Sequence, residues 1–460
     1  MRKACVILSL LLALCLRGCG GQETGMEPEP QETAQAVTEP TPDPTVESLD
    51  LSGQGGAALE ELSRYPNLRL VELGRGGYEA ADLIRLHAQR PELKLQYSFP
   101  LGGNTVSLED SQVDLSAGDA QDARTLLDFL PLMDGLRLID LGEGDGNDSR
   151  IPWETIRELQ LAAPQAELRY AFTLFGKEFD LNSQSMDLNH IAMDDEGALV
   201  KSVTACMPEL RYLDMDFCEV SDESMAEIRD SLPNAEVVWR IWFGNGRNGG
   251  YSVRTDVERI LASNPDKAGE LNPSNTGALK YCTKVRYLDL GHNDQLSDIS
   301  FCAYMPDLEV AILAMGAFHD LTPLANCPKL EYLEIQTAAV NDLRPLAGLK
   351  NLRHLNICYS FTLMDITPLY DLDLVRLYLG KFDPVPEEQI QEFRRRHPQC
   401  EVDTDVDDPT AGHWRYAGYD EFGFTVVQPR YELLREQFHY GEAPLCYAYL
   451  ENDPLYEPHG

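Results

Sequence analysis

An α/β solenoid with a parallel concave sheet is the fold this sequence predicts, and three observations predict it. A short strand motif, LRLVEL from Leu68, LRLIDL from Leu136, LRYLDM from Leu210 and VRYLDL from Val285, recurs at intervals of roughly 70 residues. After Val285 the motif returns at Leu308, Leu330, Leu352 and Leu374, an interval of about 22 residues. Amphipathic helix patterns fill the long intervals. Unrelated loops do not keep such register, so the 460-residue chain reads as stacked units rather than two or three separate cores.

The N-terminus, MRKACVILSLLLALCLRGCGG, places Arg2 and Lys3 before an apolar run from Ala4 to Leu16. That run is too short to span a bilayer as a mature helix and reads as an export signal, residues 1–18. Leu16-Arg17-Gly18-Cys19 resembles a bacterial lipobox, with Arg17 where small or uncharged residues are usual. The resemblance implies cleavage before Cys19, lipidation of its thiol and anchoring on the extracellular face of the cell membrane; without lipidation the chain would be secreted. Residues 19–48 are proline-rich and acidic with no Lys or Arg, which predicts a disordered, extended tether.

Residues 49–284 form the long units. Each LRxxxL strand is followed by a helix pattern (YEAADLIRLHAQRP, IPWETIRELQLAAPQ, SDESMAEIRDSLPN), then by a second, alternating strand from Leu93, Leu168 or Val237. A glycine-containing reversal (PLGGN, FGKEF, FGNGRNGG) reads as a hairpin returning through TVSL, DLN or YSV. A Leu-rich helix, such as DARTLLDFLPLM or GALVKSVTACMP, leads to the next unit. Each long unit thus reads as two repeat strands plus a hairpin excursion, all belonging to one continuous sheet with the short units.

Residues 285–402 repeat L-x-x-L-x-L, whose alternation puts Leu and Ile inward on a short strand. Asp-Leu/Ile-x-Pro-Leu follows at Asp320–Leu324, Asp342–Leu346 and Asp365–Leu369, where the Asp caps a 3₁₀ or helical turn and the Pro fits its first turn. From about 285 to 380 this resembles the internalin-type leucine-rich repeat, and the long units resemble irregular leucine-rich repeats of exported bacterial proteins. The resemblance implies a horseshoe with helices and 3₁₀ turns on its convex side. The family's ladder of Asn or Cys is met by Cys218 and Asn293, while Gly76, Gly144, Gly316, Ala338 and Ser360 fill the other positions. A helix and final strand follow in PEEQIQEFRRRHPQCEVDT, and residues 403–460 are expected to cap the end of the solenoid, with Trp414, Phe422, Phe424 and Phe438 as core.

There are 38 Lys and Arg against 76 Asp and Glu, a net charge of -38, which argues against nucleic acid as a partner. Eight cysteines lie beyond Cys19, and Cys206, Cys282 and Cys327 recur just ahead of a strand, as small buried thiols would. No hydrolase, metalloprotease, P-loop or dinucleotide motif occurs in a suitable context, so no catalytic residue, metal or cofactor is expected. DTDVDDPT at 403–410 lacks the bidentate Glu of a calcium loop and reads as a linker; GEGDGNDS at 142–149 reads as a loop.

The outward strand positions are the candidate site. One column holds Leu70, Leu138, Tyr212, Tyr287, Val310, Tyr332, His354 and Arg376; its neighbour holds Glu72, Asp140, Asp214, Asp289, Ile312, Glu334, Asn356 and Tyr378. An aromatic column beside an acidic one suits a protein, peptide or glycan ligand on the concave face, because Tyr supplies area at low entropy cost and carboxylates select basic partners. The sites expected from this pattern are Tyr212, Asp214, Tyr287, Asp289, Tyr332, Glu334, His354, Asn356, Arg376 and Tyr378. The expected function is non-catalytic extracellular recognition or adhesion. A cell-envelope scaffold, or an enzyme with its site in the C-terminal tail, are the alternatives.

Overall fold

A computed structural model of the chain describes residues 43–246, 250–263, 269–406 and 414–440. The export signal, Cys19, most of the tether, Cys446 and residues 407–410 of the acidic run lie outside the described residues.

The repeat strands stack in parallel, and the hydrophobic pattern dictates which way they face. Leu288, Leu333, Leu355 and Leu377 are fully buried on one side, each hydrogen-bonded in register with its neighbour through the strand ladder. A single core runs beneath all the units from Leu51 to Phe393. The long units contain helices α1 (Ala80–Gln89), α2 (Ala120–Phe129), α3 (Trp153–Ala162), α4 (Ala198–Thr204) and α5 (Asp222–Ser231). In α2 the Asp119 carboxylate accepts from the Gln121 and Asp122 amides and Asp122 reaches back, a reciprocal cap.

Two expectations need correction. The sheet is not continuous: it divides into parallel blocks, and every hairpin marks a division. Each long unit also carries three parallel strands, not two. Ser48–Asp50, Leu70–Arg75 and Lys94–Leu101 form the first block, and Gln112–Asp114, Leu138–Asp145 and Glu167–Leu174 the second. Ser185–Asp187, Tyr212–Asp214 and Glu236–Val238 form the third. The additional strands, Ser48–Asp50, Gln112–Asp114 and Ser185–Asp187, are only three residues long, and periodicity has too few residues there to register. The returns are Asn104–Ser107, Lys177–Asp180 and Tyr251–Arg254, so the second begins within the stretch read as its reversal.

A break in register occurs inside the long strands, between Glu72 and Gly74 and between Asp140 and Glu143. Gly74 and Gly142 adopt φ 72° and 70° there, and a Cβ on either would lie within 2.9 Å of Ser52 or 2.7 Å of Ser116. Residues 142–145, read as part of a loop, therefore complete a bulged strand.

Seven parallel strands make the last block: Arg259–Leu261, Tyr287–Asp289, Val310–Ile312, Tyr332–Glu334, His354–Asn356, Arg376–Gly380 and Glu401–Val406. It begins one strand before the boundary at 285. Its turns form as the Asp-Pro pattern predicts: Asp320, Asp342 and Asp365 accept the amides of Thr322, Arg344 and Thr367 at 2.8, 2.9 and 2.9 Å. The 3₁₀ turns Thr322–Asn326, Arg344–Leu346 and Thr367–Leu369 follow, and α6 (Glu387–Arg396) precedes the last strand.

Leaving four of these strands, the chain passes through a left-handed residue: His292, Met315, Thr337 and Tyr359 have φ of 62°, 65°, 62° and 58°. A non-glycine residue there is strained by roughly 1–2 kcal/mol. Stacking holds the first three, whose amides bond to Ala314, Gln336 and Cys358 of the next repeat. At the junction Asn293 is buried, donating to Ala262 and Leu290 at 3.0 and 2.8 Å and accepting from the Leu271 amide. Cys218 fills the equivalent place and donates to Leu188. Cys206, Cys282 and Cys327 are buried thiols, and Cys206 and Cys327 donate at 3.3 Å to carbonyls of an earlier turn.

Candidate functional site

Ladder register aligns the two outward columns of the last block. Tyr287, Val310, Tyr332, His354 and Arg376 are successive partners, as are Asp289, Ile312, Glu334, Asn356 and Tyr378. These side chains do not meet solvent as an open surface. Tyr332, Glu334, Asn356 and Tyr378 are buried, as are Asp289 and Arg376.

The covering element is the chain's own C-terminal segment, 414–440. Trp414 is followed by a hairpin, Tyr416–Tyr419 with Thr425–Val427, and by α7 (Pro429–Phe438), whose proline occupies the first turn. Spacing i, i+4 puts Leu434 and Phe438 on one face of α7, and both are wholly buried. With Trp414 they join Val310, Ile312, Tyr332, Cys358, Tyr378 and Val406 in an apolar cluster separate from the main core. The described part of the tail thus lies on the concave sheet, where an end cap was expected. Trp414 and Phe438 are core as expected, but Phe422 and Phe424 are 76 % and 70 % exposed at the hairpin tip, beside exposed Tyr419. Asp420 closes the turn at the tip, accepting the amides of Phe422 and Phe424.

Glu334 is the electrostatic centre. Its carboxylate accepts from Trp414 Nε1 at 2.7 Å, Arg415 at 3.0 Å, Tyr332 Oη at 2.5 Å and Gln336 Nε2 at 3.2 Å. Burial works to raise its pKa, but the Arg415 charge and the three neutral donors prevail and hold it below the ordinary value. Asp289 accepts from Tyr440 Oη and the Gly291 amide, and burial pushes its carboxyl up to about 6. Arg376 donates to the Trp414 carbonyl at 2.9 Å and to Glu401 at 3.0 Å, and its guanidinium lies over the Trp414 ring at 4.9 Å. Arg430 covers the Tyr332 ring and pairs with Glu331. Tyr287 meets Phe438 edge to face, with centroids 6.3 Å apart. His354 is half-buried; burial beside Arg430, Arg376 and Arg353 lowers it to about 4.

Eight of the ten expected residues are therefore brought together, but beneath polypeptide. Tyr212 and Asp214 stand apart in the third block, where Arg254 closes on them with bonds of 2.9 Å to Tyr212 Oη and 3.0 Å to Asp214. Sequence reasoning missed Arg415, Arg430 and Tyr440 as partners of the columns. The available signals were the adjacent Trp414-Arg415 pair and the Tyr431, Leu434, Phe438 face of the last helix. Among the described residues no group of three or more His, Cys, Asp or Glu could hold a metal ion, and no helix is long and apolar enough to cross a membrane.

The family model described as Leucine Rich repeat matches residues 281–299, which span the Tyr287–Asp289 strand and Asn293. The chain has the leucine-rich-repeat fold. Among solved structures it is similar to an internalin of Listeria monocytogenes, with 17 % identity over 76 % of this chain and 79 % of that one and a TM-score of 0.30. A leucine-rich-repeat protein of Leptospira interrogans is 16 % identical over 78 % of this chain and 96 % of its own, with a TM-score of 0.28. No curated protein sequence matches the chain.

Proposed function

We propose that this leucine-rich-repeat chain is a non-catalytic binding protein of the bacterial cell exterior, exported by its first 18 residues and held to the membrane through lipidated Cys19. Its array recognises a polypeptide ligand by burying aromatic and basic side chains against the concave columns. The observation that carries this reading is the seating of Trp414 and Arg415 on Glu334 at 2.7 and 3.0 Å, on a face that also supplies Tyr332, Arg376 and Tyr378. A face that desolvates a carboxylate and meets it with four donors has the chemistry of a polypeptide groove rather than of an inert sheet.

Affinity capture with the fragment starting at Leu49 tests recognition. A specific extracellular protein or peptide should be retained, and its loss when the Glu334 face is altered would locate it; fractionation with wall or membrane without any retained ligand would favour a scaffold. Fatty-acid labelling of the parent chain and of Cys19→Ala tests the anchor. Label should appear on the parent alone.

A further inference from the structure

From the contact between residues 414–440 and the seven-stranded sheet we infer that this segment is a built-in, displaceable occupant of the groove, and that the external partner is a polypeptide presenting a tryptophan followed by an arginine ahead of an aromatic helix. The inference deepens the recognition reading above and rests on it.

Three observations carry it. The segment packs through its own apolar cluster, and none of its residues belongs to the core that runs from Leu51 to Phe393. The repeat strands complete their ladders without it. Lifting it off would therefore expose the columns without dismantling the array. Next, the contact is polar and incompletely matched. Of the buried side-chain polar atoms without a hydrogen-bond partner among the described residues, Gln336 Oε1 and His354 Nδ1 lie on the sheet side, and Arg415 Nε and Gln437 Oε1 on the segment side. The two on the sheet side stay in the groove when the segment leaves, so a ligand that satisfied Gln336 Oε1 and His354 Nδ1 would gain bonds there that the segment does not make. Last, Glu334 fixes the partner's chemistry. It is fully buried and holds one indole N–H and one guanidinium at once. An occupant without a cation at that point would strand the carboxylate, which selects an aromatic–arginine pair over neutral or acidic segments.

Seven residues, 407–413, join the sheet to the segment, so it competes at the high effective concentration of a short tether. A partner must overcome that competition, and its apparent affinity falls by the fraction of chains that are open.

The test uses the full chain and a fluorescein-labelled synthetic peptide of residues 414–440, read by anisotropy. The parent should bind it weakly, and the variant Trp414→Ala/Arg415→Ala, whose own segment is loosened, at least tenfold more tightly. Adding Glu334→Gln to that variant should abolish the gain, as should carrying the same two alanines in the peptide. Circular dichroism of each variant confirms that the repeats remain folded. Equal affinity for parent and opened variant, or no binding to a folded opened variant, overturns the inference while leaving capture of a ligand through another face intact. Light scattering that finds the parent as a dimer sharing its segments would also overturn it, because the occupant would then be a second copy.

Discussion

Trp414 donates its indole N–H to Glu334 across 2.7 Å, although the two lie 80 residues apart in the chain. The bond ties the tail to the middle of the seven-stranded sheet, beside those that Arg415 makes to Glu334 and Arg376 to the Trp414 carbonyl. Replacing a buried Trp by Ala typically costs about 3–5 kcal/mol. Trp414→Ala should spend that cost on undocking, so limited proteolysis should cut within 414–440 far faster than in the parent, while the far-ultraviolet dichroism of the repeats persists.

Arg415 and Glu334 form a pair whose carboxylate is fully buried and whose guanidinium is 23 % exposed. Removing one partner of such a pair strands the other, at roughly 3 kcal/mol or more. Glu334→Gln and Arg415→Gln should each weaken docking by about that amount, and the double variant by clearly less than their sum. Additive losses in a double-mutant cycle on segment docking would show that the two groups do not interact.

Two titrating groups under the segment pull in opposite directions. Asp289, facing Tyr440, Glu334 and Arg415, is raised from 3.8 to about 6, so the docked form holds a proton that the open form loses. Its contribution weakens docking as pH rises from about 4 to about 6. His354, facing Arg430, Arg376 and Arg353, is lowered from 6.5 to about 4, so the open form binds the extra proton and docking strengthens as pH rises over about 4 to 6.5. The parent should accordingly show a shallow pH dependence. Docking of Asp289→Asn should tighten with rising pH and that of His354→Gln should loosen, as followed by cleavage rates across this window; parallel slopes in the two variants would refute the assignment.

Thr337 is β-branched and has φ of 62°. Glycine at this position removes the clash between Cβ and backbone, at some entropic cost. Thr337→Gly should raise the stability of the array by up to about 1 kcal/mol in urea unfolding, with an unchanged m-value. A loss comparable to that of an ordinary strand glycine would mean that the turn is not strained.

The stacking was legible because the short units repeat the same few decisions: Leu288, Leu333, Leu355 and Leu377 inward, and an aspartate with a proline to start the turns at 320–324, 342–346 and 365–369. The three-stranded composition of the long units was not, because strands such as Ser185–Asp187 are too short to show alternation and are fixed by pairing with Tyr212–Asp214. The breaks between sheet blocks were hidden for a similar reason: a hairpin reads locally as an excursion, and only three-dimensional pairing reveals that the parallel ladder ends there.

The candidate site divides in the same way. Sequence alone determined which residues share the columns, since alternation along a strand and register between repeats put Tyr287, Tyr332 and His354 on one line, with Asp289, Glu334 and Tyr378 beside it. Only the tertiary structure decided that the chain's own tail lies on them. Docking of Trp414, Leu434 and Phe438 depends on the shape and charge of a surface assembled from five or more separate repeats. No local pattern in residues 414–440 encodes that surface: an aromatic, amphipathic segment has reason to bury one face, but its partner exists only once the sheet has stacked.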